Sequence, residues 1–256
     1  SGDSVTIISG NGADSITNRS GQNVSINVGD GNNYILNDSS RKWNSETVKY
    51  DTITPDNVTI ISGNGADSIT NDGSNVTINA GAGNNFIYSS GDSVTISAGN
   101  GADSIYNEGD NVTINAGAGN NSIYSSGENV LVQLEGGNNT VKGDVTINIS
   151  NGNNTLTGDR SAQIYQYSGG NAFITNYSHE DTIDIASGKI DSYSFDGGNL
   201  IFHIGDNSLT LKNMTNHAIN VKDSSGETTK IYSNGYSPQQ VIKNLVKAWS
   251  NTFLSN

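Results

Sequence analysis

Over the first 160 residues, apolar and polar positions alternate in short bursts, and the bursts recur every 18 residues. VTIISGNGADSITNDGSN from Val58, VTINAGAGNNFIYSSGDS from Val76, VTISAGNGADSIYNEGDN from Val94 and VTINAGAGNNSIYSSGEN from Val112 follow one another without a gap. In each, V-T-I runs apolar, polar, apolar, the period of a half-buried strand, which places Val76 and Ile78 inward and Thr77 outward. The glycine-rich turn AGAGNN leads to a second strand, FIY, with Ile87 inward, and the turn SSGDS returns the chain to the next Val. A unit of this length cannot bury its own apolar side chains and must stack on its neighbours. The pattern therefore predicts an all-β fold, a parallel β-roll or β-solenoid with 18-residue coils.

Units start at Val5, Val24, Val58, Val76, Val94, Val112, Val130 and Val145. Residues 37–57 break the phase and read as a loop inserted on one face, carrying Arg41, Lys42, Lys49, Trp43 and Tyr50. The repeat array thus spans 1–160. Residues 161–235 read as a degenerate coil, with Phe173 and Ile183 for its core, followed by a hairpin-rich cap turning at Asp196–Gly198 and Asp223–Gly226. Such a cap would end the sheet edge. Over 236–256 the spacing predicts an amphipathic α-helix, with Ser237, Pro238 and Gln240 as its capping residues and Val241, Leu245 and Trp249 on its apolar stripe. Gly63, Gly65, Gly81, Gly83, Gly99, Gly101, Gly117 and Gly119 are expected to take positive φ in the turns.

Composition narrows the setting. An apolar share of 32% and 31 glycines imply a thin core. Absence of Cys removes disulfides and thiolate metal sites from consideration. The net charge is -13, with no Lys or Arg from Tyr50 to Val141. Nucleic acid, whose binding needs Lys and Arg, is a poor partner, and a divalent cation a better one. No stretch has the length of a membrane span. The opening SGDSVTIIS parallels SGDSVTISA from Ser90, so a segment of a longer protein is expected.

At the turns, SGNGADSIT from Ser62 and AGNGADSIY from Ala98 resemble the GGxGxDxUx nonapeptide of the hemolysin-type, or RTX, calcium-binding parallel β-roll. The resemblance covers about the first 160 residues. It implies calcium between successive turns, held by Asp14, Asp67 and Asp103, with Asn33, Asn85 and Asn121 at equivalent places and the turn carbonyls of Gly63, Gly65, Gly81, Gly99 and Gly117. Two departures bear on this. Alternate nonapeptides, such as NEGDNVTIN from Asn107, put Val where the family has Asp, and along the remaining edge Asp alternates with Asn. Each gap then offers at most one carboxylate, whereas calcium takes six to eight oxygens. The alternative at these positions is an amide ladder, stacked Asn side chains bonding to one another and to turn backbone.

Other rows are solvent-facing. Asp72, Asp92, Glu108, Asp110 and Glu128 make an acidic row at the opposite turns. Thr6, Thr59, Thr77, Thr95, Thr113 and Thr146 line one flat face beside Asn79, Ser97, Asn115 and Asn148, an arrangement resembling ice-binding faces but also that of ordinary outward strand residues. Tyr88, Tyr106 and Tyr124 fall in register on the other face and could meet a cell-surface glycan or a protein partner. His179, His203 and His217 are scattered, and no hydrolase or nucleotide-binding motif occurs. The expected role is a non-enzymatic, calcium-responsive folding and secretion module of an extracellular or surface bacterial protein. The alternative is a calcium-independent structural or adhesive spacer held by Asn ladders. A polysaccharide-active β-solenoid enzyme is a third reading, weakened by the lack of Lys and Arg for a ligand cleft.

Overall fold

The computed structural model describes residues 3–159, 162–188, 190–214, 219–222 and 228–231. They fall into two compact units divided between Asn139 and Thr140. Both are built from parallel β-coils of about 18 residues. The described residues contain no helix, and none of their elements is a helix long and apolar enough to cross a membrane. The helix expected over 236–256 and the turn at Asp223–Gly226 lie outside the described residues.

In the first unit each coil contributes one strand to each of two stacks. The V-T-I strands pair in parallel, Thr59–Ile61 with Thr77–Asn79, then Thr95–Ser97, then Thr113–Asn115, so Ile60, Ile78, Ile96 and Ile114 lie directly above one another. The second stack aligns Ile35, Ile69, Ile87, Ile105 and Ile123. These isoleucines, with Val58, Val76, Val94 and Val112, are almost completely buried. The core is therefore two facing ribbons of β-branched side chains, a residue class that packs well on a pleated surface. Ala80, Ala98 and Ala116 close it beside the glycine-rich turn, a place taken by the equally buried Val28 and Leu134 in other coils.

Two turn devices set the coil length. Gly83 and Gly101 have φ of 131° and 146°, and a Cβ on either would collide with the carbonyl oxygen of the equivalent glycine one coil earlier, Gly65 or Gly83. Gly63 corrects the expectation of positive φ: it lies outside the left-handed region, and what excludes a side chain there is the Asp30 carboxylate and the Gly29 carbonyl. At the opposite turn the residue before each core Val takes the left-handed conformation without being glycine. Asn57, Asn75, Ser93, Asn111 and Asn129 all have φ between 52° and 57°. Asn accepts this conformation at lower cost than most residues because its short side chain can bond locally.

The insertion is a hairpin. Strands Ser40–Asn44 and Lys49–Ile53 pair antiparallel, Trp43 facing Tyr50 across the ladder with ring centroids 5.1 Å apart. In the second unit, Thr146–Ile149 within the strand Thr140–Ile149 pairs in parallel with Ile164–Tyr167, which pairs with Thr182–Ile185; Asn153–Thr157 pairs with Asn171–Thr175. Strands Ser192–Asp196, Asn199–Ile204 and Asn207–Leu211 then form an antiparallel meander, and Ile219–Lys222 pairs antiparallel with Thr228–Ile231. The last strand of the meander also pairs in parallel with Asn171–Thr175. Ile183 is buried as expected, but Phe173 is exposed on the outward side of its strand, with the Lys212 ammonium 5.1 Å from its ring centre. The alternation along Asn171–Thr175 gives the interior to Ala172 and Ile174 instead.

Gly101→Ala should destabilise the first unit by about 3 kcal/mol or more, since both its φ and its neighbour's carbonyl oppose a Cβ. Urea unfolding followed by circular dichroism measures this, with Ser97→Ala, an outward position, as the neutral control.

Candidate functional site

The residues that the sequence singles out as ligands all gather at the glycine-rich turn. The chain there passes from one sheet to the other within a single coil spacing of about 4.8 Å. Backbone amides at such a corner belong to neither sheet ladder, and leaving one buried without a partner costs about 1–3 kcal/mol. Side chains at two adjacent positions supply the partners, both of them in the Asn-Asn coils and the second alone in the Ala-Asp coils.

The inner ladder runs through the sequence-predicted positions. Asp14 donates its backbone N–H to Asn33 Oδ1 at 3.0 Å, Asn33 to Asp67 Oδ1 at 2.8 Å, and Asp67 to Asn85 Oδ1 at 3.1 Å. Asn85 then donates to Asp103 Oδ1 at 2.8 Å, Asp103 to Asn121 Oδ1 at 2.9 Å, and Asn121 to Asn139 Oδ1 at 2.9 Å. Apart from Asp14, which is half-buried, all these residues are buried. An outer ladder runs in the opposite sense one residue earlier. Ala66 N–H donates to Asn32 Oδ1, Ala102 to Asn84 Oδ1 and Asn138 to Asn120 Oδ1, each at 2.8 Å. The Asn-Asn pair of one coil thus accepts from the coil on either side, which accounts for its recurrence opposite Ala-Asp.

Asp and Asn are equivalent as acceptors in the inner ladder and differ in their second atom. Asn85 Nδ2 donates to the carbonyls of Gly83 and Ala98, at 3.2 and 3.1 Å, and Asn121 Nδ2 to that of Ala116 at 3.1 Å. An ionised Asp has no donor to offer there. Oδ2 of Asp67 and of Asp103 is buried with no hydrogen-bond partner. Burial pushes the Asp103 carboxyl above the ordinary carboxylate range, against the bonds from Asn85 that stabilise its charge. Asp14 differs again, since Ser9 Oγ donates to its Oδ2 at 2.8 Å.

These donors do not fit a calcium ion. Each gap holds at most one ladder carboxylate, Oδ1 of Asp67 and of Asp103 is already taken by a backbone N–H, and calcium needs six to eight oxygens. Gly81, Gly99 and Gly117 form a column in which the carbonyl of the preceding glycine, beginning with Gly63, lies against the next glycine's Cα. Gly65 N–H donates to Ala82 O at 2.8 Å, part of the stack's own bonding. Among the described residues no group of three or more His, Cys, Asp or Glu is arranged to hold a metal ion.

A buried ladder at the opposite turn escaped the sequence reading. Asn18 Nδ2 donates to Asn37 Oδ1 and Asn37 Nδ2 to Asn71 Oδ1, both at 2.7 Å, and Asn71 Nδ2 continues to Ser89 Oγ at 3.2 Å. Asn107 repeats the last step with Ser125. The 18-residue recurrence of Asn71, Ser89, Asn107 and Ser125 was the available clue. The expected acidic row there divides in two. Asp92 and Asp110 accept backbone N–H bonds from Asp110 and Glu128, whereas Asp72 and Glu108 lie beside the tyrosine column. In the second unit Asp181 makes a similar cross-coil bond ahead of the V-T-I stack instead, accepting from Gln163 N–H at 3.0 Å, and burial raises its carboxyl too. His179 and Glu180 are exposed beside it, and no triad forms.

No protein-family model and no curated protein matches this chain.

Two outcomes follow from the ladder. Asn85→Ala, which strands the Asp67 amide and two turn carbonyls, should cost about 2–4 kcal/mol in denaturant unfolding. Asp103→Asn should instead stabilise by about 1 kcal/mol, because the new amide can donate where Oδ2 could not. The pH dependence has a definite sign. A carboxyl whose folded pKa lies above its unfolded value binds more protons when folded, so its contribution becomes more favourable as pH falls from neutrality through the raised pKa toward the unfolded value. Asp103→Asn should therefore reduce the gain in stability on mild acidification, measured by thermal melts of both proteins over that range.

Proposed function

We propose that this chain is a non-enzymatic structural module, a spacer in a secreted or cell-surface bacterial protein, whose coils hold together without a bound ion. The observation that carries the reading is the inner ladder from Asp14 to Asn139, in which protein side chains take the corner amides that would otherwise need another partner. Neutral Asn fills much of this ladder, so folding requires little charge neutralisation there. A repetitive, acidic exterior keeps a stacked sheet soluble, which suits a spacer. The absence of Cys agrees with a fold that takes its stability from repetition alone.

A calcium-responsive folding and secretion module is the second reading. One observation favours it, the unpartnered Oδ2 of Asp67 and Asp103. Against it stand the presence of at most one ladder carboxylate per gap and the engagement of Oδ1 of Asp67 and Asp103 by backbone.

Circular dichroism in excess chelator, with calcium then titrated in, separates the two. The spacer reading expects a formed β spectrum in chelator and a melting temperature that calcium leaves unchanged. A disordered spectrum in chelator that becomes β on adding calcium would overturn it in favour of the calcium-responsive module.

A further inference from the structure

One sheet face of the first unit carries two unlike rows side by side. Strand alternation points every second residue outward, and the register places Leu36, Thr70, Tyr88, Tyr106 and Tyr124 in one column, with Tyr34, Ser68 and Phe86 in the column before it. Phe86, Tyr106 and Tyr124 are 38–45% exposed, and their rings run in a chain with centroids 5.9 and 6.2 Å apart. Contiguous exposed aromatic surface of this kind marks an interaction site more often than scattered apolar residues do. The column on the far side of the tyrosines holds Asp38, Asp72, Ser90 and Glu108. Tyr88 Oη donates to Glu108 at 2.8 Å. Burial, and then the nearby Asp38 carboxyl, raise the pKa of Asp72, as two carboxyls close together do; on its other side Asp38 has Arg19 as its cross-strand neighbour.

The complementary surface lies on the inserted hairpin. Arg19, Arg41, Lys42 and Lys49 are the basic residues of 1–139, and the last three are in the hairpin. Its two faces differ. Arg41, Trp43, Tyr50 and Thr52 share one face, where the only charge is that of Arg41, while Lys42, Lys49 and Asp51 share the other. Trp43 and Tyr50 are 51% and 65% exposed, held edge to face by their cross-strand pairing. At the tip, Val48 has φ of 54°, an unfavourable conformation for a β-branched residue, and is exposed. The unit thus presents an arginine beside a pair of aromatic residues on one element and carboxylates beside aromatic rings on another.

We propose that the chain self-associates, the Arg41–Trp43–Tyr50 face of one copy's hairpin docking on the Phe86–Tyr106–Tyr124 row of another, with the Arg41 guanidinium against the Asp38 and Asp72 carboxylates. Arg serves this role through its planar fork, which can pair with two carboxylate oxygens while stacking on a ring face. Trp43 and Tyr50 supply the kind of rigid aromatic anchors that dominate interface energetics. Reciprocal exchange of hairpins between two copies closes a dimer, and one-way docking propagates a chain of copies.

Sedimentation of the full chain over a concentration series tests this. The expected result is concentration-dependent association that weakens with added salt and falls about tenfold with Trp43→Ala or with Arg41→Glu. Asp72→Arg alone should weaken it similarly, and an equimolar mixture of Arg41→Glu and Asp72→Arg chains should recover it, since each then meets an opposite charge. Circular dichroism of each variant confirms that the coils remain formed. A monomer at every concentration overturns the proposal, including the case in which that monomer binds an added Lys- and Arg-rich peptide or a glycan. Association that Arg41→Glu leaves unchanged overturns it as well.

Discussion

Every coil of the first unit depends on how the backbone amides of its glycine-rich corner are paired. Strands satisfy their own N–H groups by stacking on strands, but a chain that changes sheets within six residues turns some amides out of both ladders. In a solenoid this deficit recurs once per coil, so the solution must recur as well. Here it is a pair of adjacent side chains, Asn84 and Asn85 in one coil, reaching Ala102 in the coil after and Asp67 in the coil before. Because each bond joins different coils, the ladders fix the stacking phase as well as satisfying the donors.

Once the phase is fixed, the exterior follows from it. Residues with the same place in the repeat must fall into columns, whether or not their alignment serves anything, so the Thr column needs no functional explanation. The aromatic and acidic columns differ because they do not follow from solubility alone: Phe86, Tyr106 and Tyr124 expose apolar rings on the same face. The same phase-keeping explains why an insertion of this size is tolerated. Asn37 bonds directly to Asn71 across it, with a separation of 34 residues, so the hairpin leaves and returns without disturbing the stack.

The core was legible in the sequence because two periods coincide in it, two along the strand and 18 along the chain. Val76, Ile78 and Ile87 could be placed inward on alternation alone. Phe173 misled because, where the repeat degenerates, hydrophobic character was the only guide left, and it does not say which of two alternating sets faces inward. Gly63 misled because a glycine can be required by a close approach from the neighbouring coil as well as by its own φ. The amide ladder at Asn33, Asn85 and Asn121 could be anticipated as an alternative to an ion site. Its direction could not, since side chains bonding across coils to backbone and side chains bonding to one another have the same one-dimensional pattern. The left-handed Asn before each core Val and the buried Asn71–Ser89 ladder share that limitation, as their meaning lies in the turn's three-dimensional path.

Amide hydrogen exchange at the inner ladder tests the central claim most directly. The backbone N–H groups of Asn33, Asp67, Asn85, Asp103 and Asn121 should be protected in metal-free buffer to nearly the same degree as those of Ile78 and Ile96 in the sheet. Calcium should leave that protection unchanged. Ladder amides that exchange at the rate of an open loop until calcium is added, while the sheet amides stay protected, would contradict the claim that these side chains hold the corner by themselves.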